Sequence, residues 1–136
     1  MAGMNFDSAK NIINGGLSEA QELLNDKNKV NDLVTKVENL IKKIPGIGNN
    51  LSGIPTMISM LKCYITKEYQ GTSLKTIAII VSAFIYIVKE NDIISDKKGI
   101  VGYVDDLVVA NVAMKMIKGD LDKFRQWKAE NNNKTE

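Results

Sequence analysis

The chain has 136 residues, 44% of them hydrophobic and 25% charged, with a net charge of +2, one cysteine and no histidine. A chain of this length buries about two thirds of its extended surface as one domain, so a core without covalent staples is within reach. The lack of histidine removes the commonest general base, the usual triad partner and the commonest transition-metal ligand.

The lone Cys63 excludes an internal disulfide, a redox pair and a cysteine-based zinc site. Residues 1–16 show no basic segment followed by an apolar run and a cleavage site. These two features make a cytoplasmic protein the expectation. Seventeen lysines and one arginine oppose sixteen acids, with signs alternating along the chain. Arginine is the residue that forks onto phosphates and guanine edges, so this balance argues against nucleic acid as a partner.

In chain order, Gly15 and Gly16 close a short amino-terminal segment, and Ser18 with Gln21 has capping-box spacing for a short helix from about Ser18 to Asn25. Val30, Leu33, Val34, Val37, Leu40, Ile41 and Ile44 mark one apolar stripe, which predicts an amphipathic helix. The stripe covers only about two heptads, so core packing is favoured over a coiled-coil seam. IPGIG at 44–48 has the form of a helix-hairpin-helix loop, yet Gly53 and Pro55 interrupt the helix that should follow. Pro55 instead starts a new helix to about Thr66, with Met57, Ile58, Leu61, Tyr64 and Ile65 on its apolar face. Cys63 in that helix has no histidine partner and is expected as a structural thiol.

Ser73 is a plausible cap for the next helix, LKTIAIIVSAFIYIV, which is apolar on nearly every face. Its apolar run from Thr76 to Val88 spans about 20 Å, short of the ~30 Å hydrocarbon layer, so about Ser73–Val88 is expected as the central helix of a bundle. A further helix follows from Tyr103 to Lys118, with Asp105 and Asp106 in its first turn and Lys115 and Lys118 in its last, as the helix dipole favours. Gly119 ends it, Asp120 caps a final helix, and Leu121, Phe124 and Trp127 pin that helix down, leaving AENNNKTE as a disordered tail. The fold class is therefore all-α, a compact helical bundle of about five to six helices.

NDIISDKKGIVGYVDD, residues 91–106, brings together Asp92, Asp96, Asp105 and Asp106. Four carboxylates can surround a hard cation such as calcium or magnesium, though not at the spacing of a known calcium loop. Local roles compete with this: Asp92 and Asp96 bonding backbone amides in a turn, Asp105 and Asp106 stabilising a helix start.

The span from Tyr86 to Asp106 resembles the signature of the YkvA-like family, a bacterial domain of unknown function. The matching residues are Asp92, Ile93, Ile94, Asp96, Gly102, Tyr103, Asp105 and Asp106, with Lys89, Glu90, Ser95 and Gly99 in place of the family's Ser-Pro pair and later prolines. The resemblance covers residues 54–118. It implies a helical core over 54–118, flanked by an amino-terminal helical extension, 1–53, and by a carboxy-terminal helix and tail, 119–136. It also implies membrane association, as for many relatives.

The resulting expectation is a non-enzymatic protein that acts by macromolecular interaction, with no cofactor and a protein as partner, in the manner of an inhibitor or immunity protein of a phage or host defence system. Lys97 and Lys98 are its interaction candidates. The alternatives are a metal-dependent, carboxylate-based hydrolase or regulator on the four aspartates, and a peripheral membrane protein.

Overall fold

The computed structural model describes residues 6–43, 53–94 and 100–134, with side chains over 6–41, 53–89 and 108–131. Among these residues seven helices follow one another: α1 (Phe6–Gly15), α2 (Leu17–Leu23), α3 (Lys27–Lys43), α4 (Gly53–Thr66), α5 (Leu74–Ile94), α6 (Ile100–Met116) and α7 (Lys118–Lys134). The all-α class predicted from periodicity is observed, with more helices than the five or six expected.

α5 occupies the centre and packs against α1, α2, α3, α4 and α6. Ile77, Ala78, Ile79, Ile80, Val81, Ala83 and Phe84 are all buried, so every side of its first half is covered by protein. A helix apolar all round needs such neighbours, and five amphipathic or apolar helices supply them. At 21 residues α5 is about 31 Å long. Lys75 at one end and Lys89 to Asp92 at the other cut its apolar stretch short. No helix among the described residues is long and apolar enough to cross a membrane.

The amino-terminal helices form part of this packing. Ala9 and Ile13 of α1, four residues apart, are fully buried. A Cβ on Gly16 would lie 2.5 Å from the Ser82 hydroxyl, so the corner between α1 and α2 needs glycine to approach α5. There Ser82 Oγ donates to the Ile13 carbonyl at 2.7 Å, satisfying a buried hydroxyl and a helix-end acceptor together. In α3 the predicted stripe is present: Val30, Leu33, Val34 and Val37 are buried, Leu40 and Ile41 are partly buried, and Ile44 lies outside the described residues.

Several boundaries differ from the sequence expectations. Residues 6–15, read from the sequence only as a short segment, are helical, with Ala9 and Ile13 buried. α2 begins at Leu17 behind Gly16, without a side-chain cap, so Ser18 lies inside the helix and the expected capping box is not formed. α3 starts at Lys27, earlier than its stripe, because Asp26 Oδ1 accepts from the amides of Asn28 (3.0 Å) and Lys29 (3.4 Å). The break expected at Gly119 falls at Ile117, and Gly119 sits in the first turn of α7. α7 continues to Lys134, so residues 129–134 of the expected tail are helical.

α4 ends at a left-handed Lys67 (φ 66°), which turns the chain back over α7. Tyr69 then meets Phe124 edge-on with centroids 5.4 Å apart and lies 4.8 Å from the Trp127 ring. Leu121, Phe124 and Trp127 thus pin α7 as predicted, with Leu121 and Phe124 buried and Trp127 partly buried.

Candidate functional site

Asp92 lies within α5, which continues to Ile94, so it does not belong to the turn expected for it. Asp105 and Asp106 are the sixth and seventh residues of α6, which starts at Ile100, and therefore lie beyond the first turn in which they were placed. Their side chains fall outside the described set, as do Asp96, Lys97 and Lys98 altogether. Among the described residues no cluster of three or more acids or thiols suits a metal ion.

A different aspartate is engaged. Asp120 does not cap its own helix but reaches from the first turn of α7 to the start of α5. Its Oδ2 accepts from Thr76 Oγ1 at 2.6 Å and from the Ser73 amide at 3.2 Å, and lies 3.2 Å from Ser73 Oγ. Ser73 Oγ accepts from the Thr76 amide at 3.2 Å, so the predicted cap on α5 is present and is itself held by Asp120. The hydrogen bond from Thr76 is the main reason the Asp120 carboxyl titrates below its ordinary range. The Ser73 donors and Lys123 act in the same direction against partial burial.

Cys63 is buried on α4, and burial, reinforced by Glu68, pushes its thiol pKa up despite Lys128. A thiolate is the attacking species in cysteine chemistry, so this environment fits the structural role expected for it. An aromatic disulfide reagent near neutral pH is expected to leave Cys63 unlabelled in the native protein and to label it fully in denaturant. Rapid native labelling would contradict the burial.

Apart from a groove of 440 Å³ lined by Leu24, Lys27, Tyr64, Ile65, Lys67 and Gln70, the remaining feature is a run of three grooves joined by shared residues. The first, of 370 Å³, lies between α4 and α7 and is lined by Pro55, Thr56, Ser59, Phe124, Arg125, Lys128 and Ala129. A second, also of 370 Å³, lies between α6 and α7, shares Arg125 and includes Lys115, Lys118 and Asp122. A third, of 400 Å³, shares Pro55 and Ser59 and includes Glu38 and Lys62. These linings carry five cations and two acids. Both acids are occupied: Lys62 pairs with Glu38 at 3.0 Å and Lys118 with Asp122 at 3.0 Å. Lys115, Arg125 and Lys128 make no ion pair among the described residues. Lys115 Nζ lies 5.8 Å from the ring centroid of Phe6, which is 43% exposed and sets an aromatic edge beside that cation. Sequence reading passed over this face. Its sequence signal was the pair Arg125 and Lys128, three apart on one helix and including the single arginine.

The fold and these surfaces define a small α-helical protein built around a central apolar helix. Residues 76–111 match the family model described as "Protein of unknown function (DUF1232)", which covers most of α5 and the first part of α6. Over 75 residues the chain is 31% identical to "Uncharacterized membrane protein YkvA" of Bacillus subtilis (strain 168), a match spanning 55% of this chain and 71% of that protein. The chain belongs to this YkvA-like family of unknown function, as its α5–α6 signature suggested. No solved structure matches.

Proposed function

We propose that the chain is a non-catalytic binding protein that attaches peripherally to an anionic membrane surface. The carrying observation is the run of grooves along α3, α4, α6 and α7, whose two acids are paired while three of their cations are left to meet an external negative charge. A cationic face with an exposed aromatic edge suits the boundary between water and lipid headgroups. Support also comes from the relative named a membrane protein. The apolar face of α5 is already used inside the bundle, which favours attachment from one side. Protein recognition, the leading expectation from sequence, gives way to the membrane because these surfaces combine charge with an aromatic edge.

Flotation with vesicles tests the reading. The protein is expected to rise with phosphatidylcholine vesicles containing phosphatidylglycerol and to stay behind with phosphatidylcholine alone. Three uncompensated cations contribute roughly a hundredfold to partitioning, an advantage that raised salt should erase. Equal behaviour with both vesicle types, or no flotation with either, overturns it.

A further inference from the structure

The groove between α4 and α7 carries chemistry finer than net charge, and the geometry points to a subsite there for the phosphodiester of an anionic phospholipid headgroup. This assignment rests on the membrane reading above and adds a particular pocket to it. Its volume of 370 Å³ is at the small end for ligand sites and suits a headgroup better than a folded partner. Arg125 lies where two grooves meet and is the single arginine of the chain. Its planar fork can give two parallel hydrogen bonds to phosphate oxygens, which a lysine cannot reproduce.

Lys128, one turn further along α7, lines the same groove. Its Nζ lies 5.9 Å from the Phe124 ring centroid, which places the ammonium beside the groove's aromatic wall. Ser59 adds a hydroxyl donor on the α4 side, and no acid lines this groove. Pro55, Phe124 and Ala129 supply apolar surface next to the cations. A phosphodiester joined to glycerol and acyl chains presents both characters in that order, whereas an acidic peptide or a free phosphate leaves the apolar part unmatched. The wall also contains a reporter, because the Phe124 ring lies 5.6 Å from that of Trp127, the only tryptophan.

The test uses the full chain and follows Trp127 fluorescence during titration with a short-chain phosphatidylglycerol below its micelle concentration, with the matching phosphatidylcholine as control. Saturable change with phosphatidylglycerol is expected. Arg125→Lys should weaken binding at least about tenfold, the scale of a lost charge-assisted hydrogen bond, and Arg125→Gln with Lys128→Gln should abolish it. Lys36→Gln, an exposed change on α3, removes one unit of charge elsewhere and should leave binding unchanged. Equal binding by wild type and the Arg125→Gln/Lys128→Gln variant overturns the subsite, as does equal weakening by Lys36→Gln. Flotation separates the two claims. Wild type that ignores anionic vesicles but binds the short-chain lipid through Arg125 removes membrane attachment and keeps the pocket. Wild type that floats with anionic vesicles but gives no saturable change with the short-chain lipid keeps attachment and removes the pocket.

Discussion

Replacing Phe84 with alanine is expected to cost about 3–5 kcal/mol, the range for removing a fully buried phenylalanine. Phe84 is completely inaccessible on α5, among the side chains that fill the centre of the bundle. Its loss removes the transfer free energy of the ring and leaves a cavity that the surrounding helices can close only in part. A domain of this kind has a total stability of about 5–15 kcal/mol, so the variant should melt roughly 10–20 °C lower. Urea unfolding followed through Trp127 measures the change, and Phe84→Leu should recover much of it. A loss below about 1 kcal/mol would show that the α5 centre is not packed as described.

Asp120→Ala is expected to be the largest polar effect, about 2–3 kcal/mol, because it removes an ionised acceptor from Thr76 Oγ1 and the Ser73 amide at once. Ser73→Ala should cost about 1 kcal/mol, as for other helix caps. The two residues share one network, so the losses should not add. The Asp120 carboxyl is held below its ordinary value in the folded chain, chiefly by the Thr76 hydrogen bond. Its stabilising contribution is therefore complete above the unfolded pKa and is lost as pH falls through the folded one. Wild type and Asp120→Asn should differ in stability near neutral pH and converge in strong acid. A constant difference across that acid range would show that the carboxylate charge plays no part in joining α5 to α7.

Much of the fold was legible locally. The α3 stripe, the Ser73 cap and the first-turn place of Pro55 in α4, which starts two residues earlier at Gly53, each follow from one segment's own periodicity or end chemistry. α1 was not read from the sequence: Phe6, Ala9 and Ile13 keep helical spacing over only ten residues, and the burial of Ala9 and Ile13 comes from packing on elements such as α5 and α6. α5 was extended through Asp92 although Lys89, Glu90 and Asn91 looked like a boundary, because those residue types tolerate a helix end exposed to water. The family signature was visible as aspartate spacing. The structure places Asp92 inside α5 and Asp105 and Asp106 past the first turn of α6, while Asp96 lies outside the described residues.

By itself the sequence determined the class, the central helix, the family and the want of histidine chemistry, all of which depend on residue types and spacings along one segment. Only the tertiary structure decided that Asp120 serves α5, 44 residues before it, through Thr76. It alone brought Pro55 and Ser59 beside Arg125 and Lys128. Hydrogen bonds and grooves between helices depend on how separate segments pack in space, and a linear pattern carries the period of each helix but not its neighbour.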